Sequence, residues 1–552
     1  MTIKQRVESQ IQKSIQNAVN QQILPEEVML IPVDLQLSAH NQPYDYTTSF
    51  CMKAAKKSQK NSKDIFNILD NTGMLNTNGD ITCTFCEPGF LNIVVSSELM
   101  RQTSQTNTST PTGKKYSVEF VSVNPNGPIT VAAARGAAIG DVLANVLKEA
   151  GNEVTREYYI NDSVNSEQMR LFAHSVKHHV CRMRGTHFDM PENGYKGDYV
   201  EDIAKQLLEL NDEKQWETES IECYQSTVQA IMIEMQKQAL KLFGTEFDLW
   251  VSEQELQCSG KVPTVIQELC LKEQAEYRDG ALWLKSQQYG DTEDRVLIRA
   301  DGRWTYAISD IAYHMNKYER GHDYIIDLFG PDHHGYIARL KAGVAALGKN
   351  PDTLDVLIFQ AVRFVKDGQV VLMRKRDGNL YTLVDLINEV AEGMQSDFET
   401  AKDVVRFFYL YISANKHMDF DLDLAIKHAN ENPCIYLKYA HARCASILAK
   451  APTIDANAQW MDVMDEPEHK LIIKCLSIHD EIQKCADTHN VHQIAHYAID
   501  VSKMFHEFYE KCRVIQEDNH EQTQSRLLIV QLVKNTLKYV GDILGVSMPE
   551  QM

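Results

Sequence analysis

The sequence predicts an α/β fold: a parallel sheet flanked by helices, preceded by a smaller α+β domain and followed by an all-α bundle. Three observations carry this reading. Short alternating or apolar runs, SVEFVSV (117–123), EVTREYYI (153–160) and YIIDLF (324–329), are separated by stretches of helical periodicity, the pattern of repeated strand–helix units. Polar residues follow each run, where an open parallel sheet places its ligands, beyond the carboxyl ends of the strands. After about residue 400 the strand pattern stops, and VVRFFYLYI, CIYLKYAHARCASILAK, KLIIKCLSIHDEIQKCA, IAHYAIDVSKMFHEFYEKC and SRLLIVQLVKNTLKYVGDILG read as helices with links short enough for an antiparallel bundle.

Taken in order, residues 1–100 mix helical and strand patterns, and GFLNIVV reads as a short buried strand after a Pro-Gly turn. RQTSQTNTSTPTGKK (101–115) has the composition of a linker. From 117, SVEFVSV leads through NPNGPIT into a helix at about 132–150 closed by Gly151. Residues 164–260 read as mostly helical and polar, with amphipathic helices in YVEDIAKQLLELNDEKQ and IECYQSTVQAIMIEMQKQALKLFG, the second stopped by Gly244. Alternation returns in ALWLKS and DRVLIRADGRWTYAISD before YIIDLF. These readings divide the chain into 1–105, 112–400 with a helical insertion at about 164–260, and 401–552.

The length of 552 residues suits about three domains of roughly 100–200 residues each. A 43% hydrophobic and 24% charged composition is that of a soluble globular protein, and no apolar run approaches the roughly 18 residues of a membrane span. The polar N-terminus MTIKQRVESQIQKSIQNAV lacks a signal-peptide core, so a cytoplasmic location is expected. A net charge of −20 argues against non-specific nucleic-acid binding, yet leaves two local basic stretches, RFVKDGQVVLMRKR (363–376) and LKYAHARCASILAK (437–450). Cys83 and Cys86 form a CxxC without the second pair a zinc site needs. The cluster at His174, His178 and Cys181 reads as a solvated helix face rather than a zinc site, so no protein-held metal is expected.

NPNGPITVAAARG (124–136) joins the first strand to its helix in the manner of a phosphate-handling loop, but offers no Lys, no His and no Ser/Thr-Gly cluster. Its context is informative. VEFVSVNPNGP, NEVTREYYIND, DGRWTYAISDIAYHMNKYERGHDYIIDLFGPDHHGYIARLKA, LMRKRDGNLYTLVDLI, MDFDLDLAIKHANENPCIYLKYAHAR and the terminal GDILGVSMPEQM together resemble arginyl-tRNA synthetases, in that family's order and over nearly the whole chain.

The resemblance implies a Rossmann-like class I catalytic domain, an N-terminal domain that contacts tRNA and a helical anticodon-binding domain. It implies ATP-dependent formation of arginyl-adenylate, then transfer of arginine to tRNA(Arg), with Mg²⁺ arriving on the nucleotide and a monomer as the working form. It assigns the substrate arginine to Glu119, Ser122, Asn124, Tyr306, Asp310 and His333. A paired carboxylate suits a planar guanidinium because two parallel hydrogen bonds can form, and Tyr306 and Asp310, at i and i+4, share a helix face. It assigns ATP to Gly127, Pro128, Thr130, Ala132, Ala133, Gly136, Gly330, Asp332 and Lys375, and tRNA to Lys438, Tyr439 and Arg443. The chain departs from the family at the His-x-Gly-His signature, where Thr130-Val131-Ala132-Ala133 stand, so both imidazole donors are lost. The second signature, Met-Ser-Lys-Arg-x-Gly in the family, is Met373-Arg374-Lys375-Arg376-Asp377-Gly378, one cation richer. Lys375, Arg374 and Arg376, with Thr130, are therefore expected to do the phosphate work. The alternatives are a synthetase-like paralogue that binds tRNA or arginine without activating it, or one that uses arginyl-tRNA in another transfer.

Overall fold

The computed structural model of the chain describes all residues except 40, 73–74, 77–78, 106–110, 165, 211–213, 372–379 and 429–430; the side chains of His333 and His334 also fall outside the described residues. At its centre is a five-stranded parallel sheet in the order Leu354–Ile358, Tyr324–Phe329, Lys115–Glu119, Glu153–Ile160, Leu249–Ser252. The chain winds outwards from the Lys115–Glu119 strand in one direction and then returns to its other side. That reversal opens a crevice beyond the carboxyl ends of the strands, the place where such sheets bind ligands.

The register creates an electrostatic problem. Glu119 lies opposite Asp327 on one neighbouring strand and Glu157 on the other, a row of three acids across three strands. All three are buried, and like charges placed side by side destabilise a sheet. The Tyr306–Glu319 helix answers with cations on the same face, Lys317 and His314, and Arg320 follows at its C-cap. Phe120, the next residue along the strand, meets Gly140 of the Val131–Glu149 helix, where a Cβ would come within 2.2 Å of the ring. Only glycine lets that helix lie this close.

The sequence reading places the main elements correctly but misses several strands, among them Leu354–Ile358 at the sheet edge and two that fall in stretches read as strand-free. Glu153–Ile160 and Tyr324–Phe329 fall on the expected runs, and the first helix spans Val131–Glu149. Leu249–Ser252, inside the stretch read as helical, is the fifth strand of the sheet. Met418–Asp421, beyond the point where strands were expected to stop, pairs in parallel with Val362–Lys366. The boundary read at 400–401 falls inside the Phe398–Tyr411 helix, which packs on Val131–Glu149. Arg406 of that helix is fully buried and joins three parts of the chain through Leu544 O (2.6 Å), Phe243 O (3.3 Å) and the Asp141 carboxylate.

The N-terminal region combines the Ile3–Asn20 helix, capped by a Thr2–Gln5 box, with a four-stranded antiparallel sheet. Cys83 and Cys86, three apart on the Ile81–Cys86 strand, differ in exposure, Cys83 buried and Cys86 exposed, as expected for opposite faces. This region docks on the C-terminal helices. Lys470 and His469 hold Asp45 at 2.8 Å each, and Thr2 donates to Asp480 at 2.6 Å. The bundle comprises Pro433–Lys450, Glu466–Leu476, Ile478–Thr488, His492–Lys511 and His520–Leu544. Among the described residues no helix is long and apolar enough to cross a membrane.

Candidate functional site

The first strand ends in strained backbone. Val121 and Ser122 both adopt left-handed conformations (φ 69° and 41°), which a β-branched residue such as valine adopts only at a cost of about 1–3 kcal/mol. The turn brings the Ser122 hydroxyl to Glu119 Oε1, to which it donates at 3.0 Å, while Ser122 Oγ accepts the Tyr159 amide at 3.1 Å. Beyond it, Gln236 of the Ile221–Leu242 helix donates to the carbonyls of Asn124 (3.1 Å) and Gly127 (2.7 Å), and Tyr199 donates to that of Asn126 (3.1 Å). The helical insertion thus braces the loop. The Asn124 amide donates to Gln168 at 2.8 Å.

Glu119 is not the open carboxylate that the sequence leads one to expect. Its Oε2 accepts from Lys317 Nζ at 2.6 Å, and Lys317, itself fully buried, also donates to Asp327 at 2.8 Å. His314 places Nε2 2.6 Å from Asp327 Oδ2 and Nδ1 2.7 Å from the Asp310 carbonyl. Both partners only accept, so both ring nitrogens carry protons and His314 is an imidazolium. Glu157 receives both arms of Arg320 (2.9 and 2.7 Å), the Tyr313 hydroxyl (3.0 Å) and the Ser117 hydroxyl (2.8 Å). Three acids and three cations balance. Burial alone would raise Asp327 and lower His314, but their mutual attraction, with Lys317 acting on Asp327, holds Asp327 well below the usual carboxylate range and His314 above the usual imidazole value.

A second group of acids at the same rim is not balanced. Asp310 accepts a hydrogen bond from Tyr336, yet burial pushes it up to about 6. Glu253, the first residue after the Leu249–Ser252 strand, bonds only to Gln257 (3.0 Å) among the described contacts. Burial, then the charges of Asp310 and Asp162, push it up to about 7. Asp162 caps the next turn through Ser252 Oγ (2.7 Å) and the Gln254 amide (3.0 Å). Amid these acids stands Tyr159. Its hydroxyl is buried without a hydrogen-bond partner, and burial together with the charges of Asp310, Glu253, Glu119 and Asp162 raises it well above the usual phenol value. Among the described residues no cation pairs with these carboxylates, an arrangement suited to a positively charged, hydrogen-bonding ligand. Sequence reasoning missed Glu253, Tyr159 and Gln236. For Glu253 the signal was an acid shortly after the apolar run LWV (249–251).

Other expected residues are placed as follows. Tyr306 opens the Tyr306–Glu319 helix and is 73% exposed. Thr130 is the N-cap of the Val131–Glu149 helix, its Oγ accepting the Ala133 amide at 3.3 Å, so its hydroxyl proton remains available as a donor. Ala132 is exposed on the first turn and Ala133 is buried. Gly136 is buried beneath Phe359, whose ring a Cβ would approach to 2.9 Å, so packing requires a glycine there. Gly330 begins the Pro331–Tyr336 turn with open space where a Cβ would be, next to exposed Asp332. The His333 side chain and Arg374, Lys375 and Arg376 lie outside the described residues. The chain leaving that segment is anchored at the rim: a Cβ on Gly127 would lie 3.5 Å from Leu380, and Leu383 N donates to Ile129 O at 2.9 Å.

In the bundle, Lys438 is buried, its Nζ held by Asp403 (2.6 Å) and Ser547 (3.1 Å), which anchors the C-terminal segment. Tyr439 is exposed, Arg443 donates to its hydroxyl at 3.0 Å, and the Arg443 guanidinium lies 4.5 Å from the centre of the exposed Tyr509 ring. The His174–Cys181 cluster is engaged within the fold: His178 Nδ1 lies 2.6 Å from the Phe188 carbonyl, the His174 ring stacks on Phe188, and Cys181 is buried.

Comparison with known proteins agrees with this arrangement. Residues 5–95 match the family model described as the arginyl tRNA synthetase N terminal domain, 94–406 that of the class I (R) tRNA synthetase catalytic domain, and 437–552 that of the DALR anticodon binding domain. The arginine–tRNA ligase of Ruminiclostridium cellulolyticum is 37% identical, with 100% of both chains covered; that of Caldanaerobacter subterraneus subsp. tengcongensis is also 37% identical, over 100% of this chain and 99% of its own. The Thermus thermophilus arginyl-tRNA synthetase shares the fold along 100% of both chains, with a TM-score of 0.78 at 20% identity. By its residues, its domains and its relatives, the chain belongs to the arginyl-tRNA synthetase family.

Proposed function

We infer that the protein activates arginine with ATP and transfers it to tRNA(Arg). The observation that carries the reading is the uncompensated acidic group of Asp310, Glu253 and Asp162 around the unpartnered Tyr159 hydroxyl, beside the fixed carboxylate of Glu119. A guanidinium is planar, permanently charged and all donor, and would complete every one of these groups. Asp310 and Glu119 take the forked cation, while the Ser122–Asn124 turn faces the amino-acid end.

ATP is assigned to the adjoining crevice, between the end of the Lys115–Glu119 strand and the Gly330–Asp332 turn. There the N-terminus of the 19-residue Val131–Glu149 helix offers backbone N–H groups and the positive end of its dipole to phosphate, and Thr130 adds a hydroxyl donor. Two imidazoles are missing, and loss of a preorganised donor typically costs about 10²–10³ in rate. The cationic loop supplies charge in their place. Lys375 is five residues from Leu380, which packs beside Gly127, so an extended chain carries it at most about 18 Å from that anchor. Mg²⁺ would arrive with the nucleotide and would offset the negative charge of its phosphates. Tyr439, Arg443 and Tyr509 offer an exposed stacking and phosphate-binding surface for the anticodon stem or loop, and the working form is a cytoplasmic monomer.

The missing imidazoles favour one second reading, a paralogue that binds arginine and tRNA without activating the amino acid. Pyrophosphate exchange in the presence of arginine, ATP, Mg²⁺ and tRNA decides between the two. Arginine-dependent exchange is the expected result; tight tRNA binding with no exchange overturns catalysis in favour of the paralogue.

A further inference from the structure

Burial raises the Glu119 carboxyl above the usual range, with Lys317 pulling it back towards the ionised form and Asp327 adding to the rise. It is buried in a row with Asp327 and Glu157, an environment that by itself would protonate it. Two contacts fix its orientation, Lys317 Nζ on Oε2 at 2.6 Å and Ser122 Oγ on Oε1 at 3.0 Å. Lys317 is in turn fixed by Asp327 (2.8 Å) and by the face of the Tyr313 ring, 4.4 Å from its centroid. Asp327 is fixed from its other oxygen by His314, 2.6 Å away, which is anchored on the Asp310 carbonyl. A chain of hydrogen bonds therefore runs from Glu119 through Lys317, Asp327 and His314 to the backbone of Asp310, linking the two acids assigned to the guanidinium.

We propose that Lys317 and His314 are positioning residues for arginine recognition: a cationic backstop, sealed from solvent, that holds Glu119 ionised and in one orientation and ties it to Asp310. Each Glu119 oxygen keeps a further lone pair for a substrate N–H, and neither cation touches the substrate. This inference rests on the reading of the Glu119–Asp310 side as the arginine pocket. The titratable and charged groups facing Glu119 are Lys317, His314, Asp310 and Tyr313 from the covering helix, Asp327 from one neighbouring strand, and Glu157 and Tyr159 from the other, with Arg320 behind Glu157. Lys317 is the cation bonded directly to Glu119, so its loss should move Glu119's titration more than any other single change among them.

The test is Lys317→Met in the full-length enzyme, with KM for arginine and for ATP followed from pH 6 to 9 in the exchange reaction. Arginine KM should rise about 100-fold at neutral pH, the size of a buried charge-assisted contact. ATP KM should stay within about 3-fold, and the acid limb of kcat/KM for arginine should move up by at least about one pH unit. A residue that merely supports the fold would weaken both substrates together and leave that limb in place. If Lys317→Met does not fold, His314→Gln decides: it keeps a side-chain N–H donor but removes the charge, and should raise arginine KM about 5–10-fold with a shift of about half a pH unit in the same direction. An unmoved acid limb, or equal effects on arginine and ATP, overturns the proposal. Asp310→Asn separates the layers: if it raises arginine KM while the backstop variants do not, only this inference fails; if it too leaves arginine unaffected, the pocket assignment is wrong.

Discussion

Two clusters of carboxylates lie within one rim of the sheet, and they differ in a single respect. The inner one, Glu119, Glu157 and Asp327, is neutralised by Lys317, Arg320 and His314. The outer one, Asp310, Glu253 and Asp162, has acid neighbours and hydroxyl or amide donors but no ion pair among the described residues. Burying a charge without a partner is costly, so a fold that leaves acids uncompensated beside a fully compensated cluster has kept them for something else. Glu157 and Asp327 of the inner cluster are scaffold that holds Glu119 in place at the pocket; the outer cluster is half of an ion pair whose other half is the substrate.

The largest effect that would sharpen this contrast is at Asp310. Asp310→Asn should raise KM for arginine about 100-fold, with ATP KM changed less than about 3-fold, because one charge-assisted guanidinium contact is worth roughly 1.5–3 kcal/mol. Steady-state exchange kinetics check it, and equal losses for both substrates would break the division between the clusters.

The nucleotide half predicts a smaller change. Thr130→Val removes both the N-cap and the remaining hydroxyl donor at the helix start. It should lower kcat about 10-fold or more, by analogy with lost preorganised donors, and cost about 1 kcal/mol of stability, visible as a lower Tm. Thr130→Ser should restore both.

The smallest effect is diagnostic in its sign. Tyr159→Phe deletes a buried hydroxyl that has no hydrogen-bond partner among the described residues. Stability should be unchanged or slightly higher by thermal melt, while arginine affinity falls about 3–10-fold. A clear loss of stability would mean that the hydroxyl has a structural partner and does not wait for a ligand.

Much of this site was legible in the sequence, and its gaps have physical causes. Glu119 and Asp310 were found because they fall at a strand end and on a helix face within longer recognisable phrases. Glu119's pairing with Lys317 was not, because the two are 198 positions apart and meet only once the helix covers the sheet. Lys438 looked like a surface cation for the same reason: its partners Asp403 and Ser547 are 35 and 109 positions away. The Leu249–Ser252 strand has four residues, too few for alternation to show against long flanking helices, and Glu253 went unnoticed with it. Met418–Asp421 alternates apolar and acidic residues, but over only four positions, and its parallel partner lies far back in the chain. Gly136 matched a nucleotide-loop position, but the partner that requires a glycine there is Phe359.

Proton linkage tests the central claim most directly. Asp310 near 6 and Glu253 near 7 are carboxylates raised above their ordinary values of 3.8 and 4.5, so the free enzyme holds protons there that the unfolded chain would not. Their contribution to stability is present at low pH and is lost as pH rises through about 6–7, and a bound guanidinium reverses the preference by favouring the ionised forms. Calorimetric titration of arginine into the enzyme in buffers of different ionisation enthalpy should therefore show release of protons on binding at pH 6.5, none at pH 8.5, and affinity that rises with pH between those limits. Arginine binding with no proton release at pH 6.5, or with proton uptake, would contradict the assignment of the uncompensated acids to the substrate cation.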